Sequence, residues 1–341
     1  MDTGSIIYIT CETVIAVMSI VGNFLVLLAI RRNQKLQTTT NCFIGSLAVA
    51  DLLVGFLAAP LAVLSFKGLP HHFSGCVLVN SCIVLLTQCS INGLLVIAID
   101  RFVAINYPFT YEKYFTIKFS LMLVVISWTV ALIIGLVPIM GWNMGPSEEK
   151  FCSFMSVIDL QYMVYFNFLG CVLFPLIVML VIYVHIFKIV MAQLKQISAM
   201  QPNVGGDSRK KFARRKLYKE IKAAKSLVII ICLFVVCWFP IHISNCIMLL
   251  KGTEILLPHN VLLAAILLSH ANSFINPCLY AYGNSQYKYT IRGFFCRNTV
   301  AAADDLTLSH RHYPLNSSVP ECLDKQKPVR ISVISKPELK D

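Results

Sequence analysis

The chain is short of charge. Only 13% of its 341 residues are Asp, Glu, Lys or Arg, where a soluble domain carries about a quarter. Beside a hydrophobic share of 57%, that shortage excludes an ordinary soluble globular protein. Basic residues are nearly missing from every second loop, where only Lys67, Lys150 and Lys251 occur. Residues 1–5 hold no basic segment and no small-residue cleavage site follows the first apolar run, so that run is expected to act as its own insertion signal. No metal-ligand spacing and no nucleophile–base pair stands out, which argues against an enzyme. The lack of an internal repeat and of paired, broken half-helices argues against a transporter.

What is present is apolar sequence in long runs, near 6–30, 41–65, 76–100, 119–141, 161–187, 226–250 and 258–282. Each is long enough to cross a bilayer. Each is expected to be helical, because backbone exposed to lipid must satisfy its own hydrogen bonds. The expected fold is an all-α membrane protein: a seven-transmembrane helix bundle, 1–298, ending in a short cytoplasmic amphipathic helix at 284–296. The polar tail 299–341 is expected to be disordered. Eleven of the 29 Lys and Arg fall in 188–225 and nine after 282. The positive-inside rule then puts the N-terminus outside and the C-terminus in the cytoplasm. The net charge of +12 gathers on the inner face, where it suits anionic lipid headgroups rather than nucleic acid.

Against this apolar background the polar residues stand out. The seventh run carries Ser269, His270, Asn272, Ser273, Asn276 and Tyr280, with Pro277 interrupting its backbone ladder. Polar groups at bilayer depth are costly unless they face protein, water or ligand. Positions 266, 269, 270, 273, 277 and 280 share one helical face, so that face is expected to look inward, as a site or as a polar seam between helices. Glu12 either snorkels to the outer interface or pairs with His270 at similar depth. Asp51 needs a cation, water or a proton, and Ser90, Asn272 and Asn276 offer polar side chains at its depth. Arg101 has Asp100 beside it and Glu220 at the start of the sixth helix, and pairs with one or the other unless it only marks the interface. In the sixth run, 234, 238, 241, 242 and 245 share a face, and Pro240 permits a kink below Trp238. Cys76 and Cys152 both lie on the outside, where oxidising conditions permit a bridge that would hold Phe154 over the bundle mouth. Cys296, at the end of the amphipathic helix, is a palmitoylation candidate.

Asn23, Asp51, Asp100-Arg101-Phe102, Trp128, Cys237-Trp238-Phe239-Pro240 and Asn276-Pro-Cys-Leu-Tyr280 together resemble the signature of rhodopsin-like G-protein-coupled receptors. Phe102 stands where that signature usually has Tyr. Within the class, Leu86-Thr-Gln-Cys-Ser90, Ile241-His-Ile-Ser-Asn245 and Leu268-Ser-His-Ala-Asn-Ser273 are similar to the adenosine receptors, nearest to their third subtype. Met155, next to Phe154, replaces the acid of the other subtypes. His242 is like those other subtypes, and 103–115 departs from all.

The resemblance implies a receptor for extracellular adenosine at the plasma membrane. By it Phe154 stacks on the base, Asn245 bonds its edge, and Met163, Ile241, Leu262 and Ile266 line an apolar slot. Thr87, Ser269 and His270 meet the ribose, with Glu12 orienting His270 and with Asn167 and His242 beside the site. It also implies sodium at Asp51, Ser90, Asn272 and Asn276, a switch through Asp100, Arg101, Glu220, Trp238, Pro240 and Tyr280, and heterotrimeric G-protein and arrestin partners. The third subtype implies the inhibitory G-protein class, which lowers cyclic AMP. Another purine ligand (inosine or AMP) and nucleoside transport are the alternatives. Ile83, where amine receptors keep an acid, and the absence of a seventh-span Lys leave an amine or retinal receptor without its anchor.

Overall fold

A computed structural model describes residues 3–146, 151–199, 229, 232–251 and 258–295. Among them are seven helices long and apolar enough to cross a membrane: Thr3–Arg32, Thr39–Phe66, Phe73–Asn106, Ile117–Leu136, Tyr162–Ile189, Cys232–Lys251 and His259–Ala281. These are the seven expected spans, and the fold is the expected all-α bundle. The fourth span stops at Leu136 rather than 141, because Val137, Pro138 and the positive φ of Gly141 turn the chain out of the helix. Residues 226–228 of the sixth run, most of the basic stretch 188–225, Glu220, Cys296 and the tail lie outside the described residues.

Prolines shape the spans. A proline has no N–H, so the carbonyl four residues earlier loses its helical partner. In two places a side chain from another span supplies the missing donor. Tyr162 Oη donates to the carbonyl of Ile134, four before Pro138, at 2.7 Å. Asn23 Nδ2 donates to that of Ser273, four before Pro277, at 3.0 Å. In the wide-turned stretch ahead of Pro175, Gln88 Nε2 donates to the carbonyl of Cys171 at 3.0 Å. Two prolines are also preceded by wide π-helical turns, Val54–Ala58 before Pro60 and Tyr162–Leu173 before Pro175. The helices pack closely where side chains are small. A Cβ added to Gly135 would come within 2.6 Å of the Leu85 backbone.

The core is continuous through the middle of the bundle. Phe43, Leu47, Ile91, Leu94, Val172, Met179, Phe234 and Trp238 belong to one buried cluster. After the seventh span comes the short helix Ser285–Phe295. Its Tyr287 is buried and donates to Asn41 Oδ1 at 2.9 Å, while Asn33 Nδ2 reaches Thr290 Oγ1 at 2.9 Å. Burial pushes the Tyr287 phenol well above its ordinary pKa, so it stays a neutral donor.

Candidate ligand cavity and switch

The loop after the fourth span is built to hold one aromatic ring in place. Cys152 is bonded to Cys76, at the start of the third span. Its backbone N–H also donates to the carbonyl of Gly68 at 3.1 Å. Ser153 then caps the single helical turn Phe154–Val157, with Ser156 returning the bond to the Ser153 N–H. This reciprocal box satisfies two otherwise unpaired donors and fixes where Phe154 starts.

Below Phe154 lies a cavity of about 410 Å³, within the roughly 300–1,000 Å³ usual for small-molecule sites. Its wall includes Thr87, Phe154, Met163, Asn167, Ile241, His242, Asn245, Leu262, Ile266, Ser269 and His270. Eleven of the twelve expected ligand residues are therefore placed on one cavity. The twelfth, Glu12, stands behind it. Glu12 is buried and faces His270 Nδ1 through Oε1, so it does not snorkel to the interface. A carboxylate only accepts. Nδ1 is thus the donor, and on a neutral ring Nε2 is left as an acceptor of a residue on the cavity wall.

The polar atoms of the wall are sorted by position. Asn245 is 1% exposed, yet neither its Oδ1 nor its Nδ2 has a hydrogen-bond partner among the described residues. Both nitrogens of buried His242 are likewise unpartnered, and its ring stacks on Phe168 at 4.6 Å. A buried polar atom left without a partner costs about 1–3 kcal/mol, so these atoms call for a complementary ligand edge. Deeper in the wall, the hydroxyls of Thr87 and Ser269 donate to carbonyls of their own helices, at 2.9 Å to Ile83 and 2.7 Å to Ile266. Their oxygen lone pairs remain. With His270 Nε2 they make this end rich in acceptors.

Sequence reasoning missed part of the wall. Tyr8, Ala62, Phe66, Asn80, Gln88 and His259 also line the cavity. Asn80 and Gln88 had a legible signal, as polar residues in an apolar span that share a helical face with Cys76 and Val84. Tyr8 and Phe66 had none, since apolar residues in an apolar span look alike whether they face lipid or ligand.

Below Trp238 the carboxylate of Asp51 is fully buried. It accepts from Ser90 Oγ and from Asn276 Nδ2, each at 2.7 Å. Ser19 Oγ donates to the Asp51 backbone carbonyl at 2.7 Å. Asn272, expected beside Asp51, is buried but its Nδ2 has no partner among the described residues. A buried carboxylate with a hydroxyl oxygen alongside has the donor chemistry of a site for a small hard cation.

At the far end Arg101 pairs with Asp100, Nε to Oδ2 at 2.9 Å. The alternative partner, Glu220, lies outside the described residues. The Asp100 carboxylate also accepts from Thr40 Oγ1 at 2.9 Å and from Tyr111 Oη at 2.8 Å, and Arg101 contacts Thr40 as well. Tyr111 belongs to the short helix Pro108–Tyr114. Pro240 lies inside the sixth span between Trp238 and His242. Trp238 packs with Phe234 and His242, each at 6.0 Å, and its Nε1 has no partner among the described residues. Tyr280 Oη is buried and likewise has no partner among the described residues.

The 7 transmembrane receptor family (rhodopsin family) matches residues 22–280. The chain is 43% identical to adenosine receptor A2b of Gallus gallus over 310 residues, 85% of this chain and 88% of that protein. It is 42% identical to human adenosine receptor A2a over 302 residues, 85% and 72% of the two chains. It is 38% identical to human adenosine receptor A2b over 322 residues, 89% and 94%. These relatives are of the A2 types, and the leaning to the third subtype draws no support from them. Proteins of this family are signalling receptors, not enzymes. The chain belongs to the adenosine receptors, within the rhodopsin family of seven-transmembrane receptors.

Proposed function

We propose that the chain is a plasma-membrane receptor that binds extracellular adenosine and signals through a heterotrimeric G protein. The observation that carries the ligand is Asn245, a buried amide with both polar atoms unpaired on the cavity wall. An amide oxygen and nitrogen side by side match the N6 donor and N7 acceptor of adenine. Phe154 supplies a face for the base, and the acceptors Thr87, Ser269 and His270 Nε2 suit the hydroxyl donors of a ribose. The N-terminus and the disulfide end are extracellular, and the Arg101 end is cytoplasmic, by the distribution of Lys and Arg.

Signalling is a shift between two bundle states. Ribose contacts bias the packing of Trp238, and the sixth span then pivots at Pro240. Arg101 leaves Asp100, and a cleft opens at the Arg101 end. The Asp51 site favours the closed state when it holds sodium, with Ser90, Asn272 and Asn276 around it. The inhibitory class of partner rests on the 268–273 resemblance. Inosine and AMP are the competing ligands, because Met155 leaves no acid beside Phe154. Cyclic AMP in cells expressing the receptor tests this. A fall in forskolin-raised cyclic AMP on adenosine supports ligand and partner. A rise keeps the ligand and replaces the partner with a stimulatory one. Silence toward adenosine beside a response to inosine or AMP overturns the ligand.

A further inference from the structure

Gln88 lines the cavity and is 1% exposed. Its amide nitrogen has two hydrogens, and both are used. One reaches the Cys171 carbonyl and the other Asn92 Oδ1, each at 3.0 Å. The orientation is forced, because a carbonyl only accepts. Asn92 is fixed the same way, donating through Nδ2 to the Ser127 carbonyl at 3.2 Å. Cys171 stands four residues before Pro175, which has no N–H to offer the ladder. It lies in the wide-turned segment Tyr162–Leu173, which also sends Met163 and Asn167 to the cavity. One side chain therefore touches the cavity, the weak point of the fifth span and, through Asn92, the fourth span.

We infer that Gln88 is a positioning residue that couples the ligand cavity to the fifth span. Its donated hydrogens hold the 162–173 segment in register. Loss of the donors loosens the segment and uncouples binding from signalling. This inference rests on the receptor reading above and deepens it.

The test uses full-length receptor with Gln88→Met, which keeps length and removes the donors, and Gln88→Glu, which keeps shape. In unliganded receptor in nanodiscs, deuterium uptake across 162–173 should rise severalfold in Gln88→Met. Unchanged uptake in both variants overturns the inference, and this arm needs no adenosine, so it decides even if adenosine proves not to be the ligand. In cells, the adenosine concentration for half-maximal signalling should rise at least tenfold while its dissociation constant moves less than threefold. Equal movement of both marks Gln88 as a plain contact residue and overturns the coupling role.

Discussion

Glu12 and His270 meet as carboxylate and imidazole at a depth where their side chains are 1% and 3% exposed. The first span thereby sets which face of the His270 ring is a donor. One end of the pair is structural and the other is on the cavity. Glu12 Oε2 has no partner among the described residues, so the pair meets there through one oxygen and is sensitive to the loss of either member.

Loss of Glu12 leaves the buried Nδ1–H of His270 unpaired, at a cost of about 1–3 kcal/mol. Glu12→Ala should therefore lower the melting temperature of solubilised receptor and weaken adenosine binding together. Glu12→Gln keeps an acceptor oxygen toward Nδ1–H and should retain most of both. Thermal unfolding monitored by a thiol-reactive dye separates the two variants, and identical melting of Glu12→Ala and wild type would contradict the pairing.

The Asp51 cluster predicts a sodium effect. Replacing sodium by choline should raise adenosine affinity in the wild type by about fivefold or more, the scale of an allosteric coupling. Asp51→Asn keeps the volume and removes the charge, and should abolish the difference. A wild type indifferent to sodium, or a mutant that still responds, would remove the cation from the mechanism.

Asp100 is held by Arg101, Thr40 and Tyr111 at once. Hydrogen bonds to a charged group are worth about 1.5–3 kcal/mol. Thr40→Val and Tyr111→Phe each delete one donor to the carboxylate and should raise ligand-free signalling, with the double variant highest. G-protein activation without ligand reads this directly. Basal activity at the wild-type level in all three would show that Asp100 and Arg101 are not restrained by these contacts.

The bundle was legible because lipid imposes a coarse rule, apolar runs of spanning length, and the seven helices follow it. Asn245, Ser269 and His270 were legible for the complementary reason, as polar groups that an apolar span keeps only for a use. Glu12 stayed ambiguous because snorkelling and pairing satisfy the same carboxylate equally well on paper, and only depth in the fold decides. The part played by Gln88 was not legible. It depends on the Cys171 carbonyl of a different span and on wide turns that change which residues share a face. Tyr111 was hidden similarly, since its acceptor Asp100 is reached only when the short helix after the third span folds back.

The most direct measurement is equilibrium binding of adenosine to purified receptor, wild type against Asn245→Ala. A bidentate contact of this kind is worth about 1–3 kcal/mol. The wild type should bind saturably, and the variant, folded by its melting curve, should bind roughly ten- to hundredfold more weakly. Unaltered affinity in Asn245→Ala, or no saturable binding to a folded wild type, would contradict the assignment of adenosine to this cavity.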